Sequence, residues 1–156
     1  MAGVSELERT LRHLYDEVRK LQNQTGLAVQ MSPQMPSGLY VGPQWVIPNL
    51  GSVITSGSKG RLRWKGQGTI VGWYIFGSPT GTITFDIQKS TYAAFPTVTS
   101  ICGGNFPSIA VSSQKGSSTT LTGWTTTLND GDLIECLVTG TPSGFTEVTL
   151  CLDVVR

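Results

Sequence analysis

Residues 81–90 read GTITFDIQKS, and their alternation decides the fold class. Ile83, Phe85 and Ile87 fall on one side of an extended chain, with Thr84, Asp86 and Gln88 on the other. That is the period-two signature of a strand with one face in a core. Just upstream, GTIVGWYIFG (68–77) is apolar on both faces, so it is expected in the middle of a sheet or covered on both sides. Gly72 inside it marks a bulge or a close backbone approach. Earlier still, KGRLRWKG (59–66) alternates, with Leu62 and Trp64 on one face and Arg61, Arg63 and Lys65 on the other.

Downstream, an irregular stretch around Tyr92, Phe95, Pro96, Gly103 and Pro107 leads to a short strand from Ile109 to Ser112. The end reads as strand, an Asn129-Asp130-Gly131 turn, strand, a turn over Gly140 to Gly144, and strand. Roughly eight strands with Gly/Pro turns predict a jelly-roll-like antiparallel β-sandwich over residues 53–156. Charged residues are only 13%, and 19 glycines supply turns, both in keeping with a β-rich chain.

Residues 27–52 have a different composition. Pro33, Pro36, Pro43 and Pro48 forbid a long helix, yet Leu39, Tyr40, Val41, Trp45, Val46 and Ile47 are too apolar for a solvated linker. The segment reads as an extended arm laid on a protein surface, either its own β domain or a neighbouring subunit. Residues 1–26 carry a heptad seam, Val4, Leu7, Leu11, Leu14, Val18 and Leu21, with Ser5 and Glu8 at capping-box spacing. A stripe this narrow predicts a coiled-coil helix and hence an oligomer; the alternative is a helix packed on its own β domain. β-branched residues at two of the a positions lean towards a dimer, Leu11 dilutes that preference, and no buried Asn decides subunit number. Three heptads are marginal alone, because ordering about 20 residues costs at least what six seam residues contribute.

A net charge of +1 gives no global signal for nucleic acid or an acidic membrane, and no apolar run reaches a membrane span. The N-terminus carries Glu6 and Glu8 and lacks a secretory h-region, so the expectation is a chain made soluble in the cytoplasm. Cys102, Cys136 and Cys151 form no CxxC and are expected as reduced, buried small hydrophobes; a Cys136–Cys151 bridge is the weaker alternative. His13 lies on the outer face of the helix, no nucleophile or zinc motif is present, and Asn129 to Asp132 reads as a hairpin turn rather than a calcium loop. The expectation is therefore no enzyme, no metal and no cofactor.

Charge placement says more than its total. No acidic residue lies between Glu17 and Asp86, whereas Lys59, Arg61, Arg63 and Lys65 crowd one strand and Asp130, Asp132, Glu135, Glu147 and Asp153 gather near the end. With Tyr40 and Trp45, the four basic residues are candidates for a partner surface. The equal alternative is an edge strand whose charges prevent strand addition. Nucleic acid is a poor third, since Trp64 belongs with Leu62 in the core. Tyr92 and Phe95, in the long loop, are the candidate glycan-binding pair.

The segments GTITFDIQKS (81–90), SSTTLTGWTTTLNDGDLIECLV (117–138) and EVTLCLDVVR (147–156) resemble a recurring C-terminal β domain of tailed-phage virion proteins. That pattern has an FDI-K strand, a variable loop, a TLTGW-T hairpin with GD at its turn, and a closing strand. Glu135-Cys136 departs from it, standing where an aromatic or aliphatic residue is expected. The resemblance implies a homotrimer and a virion location: a capsid decoration or cement protein or head fibre, with the major capsid protein or another virion protein as partner. Its alternative is a tail-associated, carbohydrate-binding receptor tip.

Overall fold

The computed structural model describes residues 8–13, 16, 17 and 42–156. The chain divides into two units, residues 1–34 and 35–156. In the first, residues 8–13, 16 and 17 are helical and exposed, Leu11 among them at 58%. Val4, Leu7, Leu14, Val18 and Leu21 lie outside the described residues, as does Tyr40. Among the described residues there is no long helix, so the coiled coil rests on the sequence pattern alone.

Among its described residues the second unit is built of antiparallel strands: β1 (Gln44–Pro48), β2 (Gly57–Arg63), β3 (Gly68–Ser90), β4 (Thr99–Ser100), β5 (Ser108–Ser118), β6 (Thr127–Leu128), β7 (Leu133–Ser143) and β8 (Glu147–Val155). The path is β1-β8-β3-β7-β2, and β4, β5 and β6 also pair with β3. The first half of β3 pairs with β8, from Thr69↔Val155 to Ser78↔Glu147, and the second half pairs with β7, from Thr82↔Ser143 to Ser90↔Leu133. Two expected strands are thus one strand of 23 residues, and two separate sheets become one sheet curled towards a barrel. Between the two stretches lies Gly81, where any Cβ would run into the Ser143 carbonyl. The two ends of the path approach each other, so that a Cβ on Gly60 of β2 would lie 3.6 Å from Trp45 Cδ1 of β1.

A bulge explains why residues 68–77 look apolar on both faces. The register with β8 shifts between Ile70 and Gly72, inserting Val71 as an unmatched residue. Parity therefore changes within the strand: Ile70 points inward before the bulge, Trp73 and Ile75 after it. Tyr74 and Phe76 are consequently turned outward, 42% and 49% exposed. Of the two expectations for this segment, the central place in the sheet holds, since it pairs with both β8 and β5, and cover on both faces does not in the single chain. A second close approach accompanies the bulge, since a Cβ on Gly72 would lie 3.2 Å from the Ser118 carbonyl oxygen.

The inner face packs Ile75, Phe85, Ile87, Ile134, Leu150 and Val154, all at 1% exposure or less. Each such side chain contributes about 1.5–3 kcal/mol on burial. Residues 44–48 of the arm pair with β8 of the same chain, from Gln44↔Cys151 to Pro48↔Glu147, burying Trp45 and Ile47 and leaving Val46 outside. All three cysteines are free: Cys102 and Cys136 are buried, while Cys151 is half-buried on β8. Burial pushes the Cys102 and Cys136 thiols up to about 12, which keeps them protonated and inert.

Candidate functional site

Of the basic residues singled out in sequence, Lys59, Arg61 and Arg63 sit on β2, which ends the strand path, and Lys65 lies just past its end. Its register places Arg61 opposite Glu135 of β7. There Arg61 Nε donates to one carboxylate oxygen and its Nη2 to the other, each at 2.8 Å. Such a fork is the strongest arrangement for this pair. Glu135 is 5% exposed. Burial alone would raise its pKa, and hydrogen bonds from Ser58 and Arg61 outweigh that effect and hold it below the usual carboxylate value. Glu135-Cys136, which depart from the pattern that the neighbouring segments resemble, are therefore accommodated, with Glu135 under Arg61 and Cys136 in the core.

Two more acidic residues of the cluster, Asp132 and Asp130, are also held within the chain. Lys89 Nζ lies 3.1 Å from Asp132 Oδ2 and also donates to the Thr127 carbonyl at 2.8 Å. Asp132 Oδ2 accepts the Asn129 N–H at 2.9 Å, and Asp130 Oδ1 accepts the Gly66 N–H at 2.7 Å. The backbone N–H of Trp64 donates to the Asp132 carbonyl and the Trp64 carbonyl accepts from the Gly131 N–H, extending the β2–β7 ladder into the turn. Asn129 to Asp132 is thus a hairpin turn braced against the end of β2. Among the described residues no three His, Cys, Asp or Glu side chains converge as metal ligands.

The positive patch is smaller than its sequence implies. Arg61 is committed to Glu135, Lys59 is half-buried, and Arg63 and Lys65 are exposed. Trp45, a candidate partner residue, is 5% exposed and belongs to the core; β1 is a sheet strand, and its alternation turns that indole inward.

The two loop aromatics also part company. Phe95, 41% exposed, lies under the Arg61 guanidinium at 5.5 Å from the ring centroid and so caps the Arg61–Glu135 pair. Tyr92 is 81% exposed. It shares an open hollow of about 500 Å3 with Arg63, Thr91, Asp130, Gly131 and Asp132. Sequence spacing could not join Tyr92 to Arg63 and Asp130, because the meeting depends on the β2–β7 register.

Sequence reasoning missed a second surface. Lys115, Phe76, Thr149 and Val46 stand in one cross-strand row over β5, β3, β8 and β1, with Ser117, Tyr74, Cys151 and Gln44 in the next row on the same face. Val46 is 66% exposed. Its available signal was the i, i+2 pair Tyr74 and Phe76 following a glycine that permits a bulge.

No family model matches the chain, and no curated protein matches its sequence. In structure it is similar to a chain described as the capsid of Ralstonia phage GP4, with 19% identity and a TM-score of 0.49 over 83% of this chain and 92% of that one.

Proposed function

We propose that this chain is a homotrimeric structural protein of a tailed-phage virion, seated on the capsid as a decoration or cement protein or as a short head fibre. The observation that carries the reading is where the three resembling segments fall. Residues 81–90 form the second half of β3, residues 117–138 run from the end of β5 through β6 into β7, and residues 147–156 include all of β8. Together they make the contiguous centre of the sheet, β8-β3-β7. The buried carboxylates serve structure: Asp86 accepts from Ser100 Oγ and Gln88 Nε2, Glu135 from Arg61, and Asp132 from Asn129 and Lys89.

The heptads register three copies, and the outer row Val46, Phe76 and Tyr74 is the surface we assign to neighbouring copies. Charge placement favours a second copy there. Lys115 of β5 lies opposite Phe76 of β3, and on the other side Glu147 of β8 lies diagonally from it, opposite Ser78; both charges are exposed. In a head-to-tail ring the Lys115 flank of one copy meets the Glu147 flank of the next, with the apolar row between them. Three linked copies grip a capsid surface through contacts that are individually weak.

Antibody-gold electron microscopy of the parent virion tests the location. Label over the head supports the capsid reading; label at the tail tip, or none, defeats it. Analytical ultracentrifugation of the full chain tests assembly, with a species of three chain masses expected at micromolar concentration and a monomer excluding the trimer.

A further inference from the structure

We infer that the hollow beside the β2 end is a carbohydrate-binding site, in which Tyr92 stacks on the face of a neutral pyranose while Arg63 and Asp130 hydrogen-bond its hydroxyls. This goes beyond the structural role proposed above and does not depend on it.

The first ground is the position of Tyr92. Its ring is 81% exposed, so folding buries little of it, yet the loop beneath is tightly fastened. Ser90 Oγ donates to the Thr97 carbonyl at 2.6 Å, closing the loop at its base. Within it, Phe95 N donates to the Thr91 carbonyl at 3.1 Å and Ala94 N to Thr91 Oγ1 at 3.2 Å. The Arg61–Phe95 contact holds the same loop against β2. An exposed aromatic on a fastened loop is a pre-ordered platform, and a ligand that stacks on it pays little ordering entropy.

The second ground is the polar pair in the same hollow. Arg63 supplies only donors and Asp130, when ionised, only acceptors. The Gly66 N–H is the main influence that lowers the Asp130 pKa, so the carboxylate is charged at neutral pH and held in place. Adjacent sugar hydroxyls donate and accept, and they match such a pair. Charge decides against an anion. Asp130 balances Arg63 in the hollow, and the charge of Asp132 is already answered by Lys89, so the lining offers no surplus positive charge to hold a phosphate or sulfate. A ligand with polar edges, an apolar C–H face and no net charge fits all three side chains.

The test uses the full chain and a panel of methyl glycosides of the common hexoses and N-acetylhexosamines at millimolar concentration, read by saturation-transfer NMR. Inorganic sulfate serves as the anionic probe. We expect at least one glycoside to bind, Tyr92→Ala to weaken that binding about tenfold, and Tyr92→Phe to retain it because the ring remains. Asp130→Asn, which keeps an acceptor for Gly66 but loses the charge, weakens it as well. Phe106→Ala, at an exposed aromatic outside this hollow, leaves binding unchanged. The inference is overturned if no glycoside binds, if Tyr92→Ala binds like the unaltered chain, or if sulfate binds through Arg63 and no glycoside does. Immunogold labelling of the virion decides the structural role separately, so failure of one reading leaves the other standing.

Discussion

The two outer faces of the sheet reverse the expectation that charge marks contact and apolarity marks core. Over β2 and β7, one member of the basic run, Arg61, is answered within the chain by Glu135, and nearby Lys89 is answered by Asp132, while Arg63 and Lys65 stay exposed. Over β1, β8 and the first half of β3, side chains that look like core are wet: Val46, Tyr74 and Phe76. A charge is free to recruit a partner only when its own strand register leaves it unpaired, and an apolar residue is core only when parity turns it inward.

Phe76→Asp breaks this comparison most severely. It places a charge in the row assigned to a neighbouring copy, and sedimentation should show subunit dissociation raised about a hundredfold or more, the scale of a central interface aromatic. The far-ultraviolet spectrum of the β fold should persist, because Phe76 is half outside the core already. If assembly is untouched, the apolar face is not a contact between copies.

Arg61→Leu sharpens the other side. It removes the fork from a buried carboxylate, and since the guanidinium side chain is itself 52% exposed, water replaces part of what is lost. Urea denaturation should register a loss of about 1–2 kcal/mol with assembly unchanged. A change in assembly instead would return this face to the role of partner surface.

Acid acts on the same pair more gradually. The folded pKa of Glu135 lies below its unfolded value near 4.5. Its contribution to stability is therefore complete above that pH and is lost as pH falls through the lower, folded value. Urea midpoints followed downward in pH should lose part of their acid dependence in Glu135→Gln. An identical acid limb in the variant would show that the ion pair contributes nothing.

The smallest effect is expected at Lys65, exposed at the end of the basic run. Lys65→Ser should shift stability by no more than about 0.5 kcal/mol in the same denaturation experiment, as for other open surface positions. A larger loss would mean that the unpaired positive charge supports the fold directly.

The alternation of Ile83, Phe85 and Ile87, the Asn129 to Asp132 turn and the closing strand were legible in sequence, because each depends on neighbours within a few residues. The same holds for the exposure of Tyr92, read from its place in a loop rich in turn residues. What local pattern could not reveal was long-range register. The continuity of β3 through residues 78–81, the Arg61–Glu135 fork, the separation of Phe95 from Tyr92, and the meeting of Tyr92 with Arg63 and Asp130 all depend on it. Sequence alone determined which residues alternate and where the chain turns, since those follow from backbone sterics and side-chain period. Only the tertiary structure decided which strands lie side by side, because a one-residue bulge at Val71 or a shift between β2 and β7 exchanges inside for outside without changing the composition of any segment.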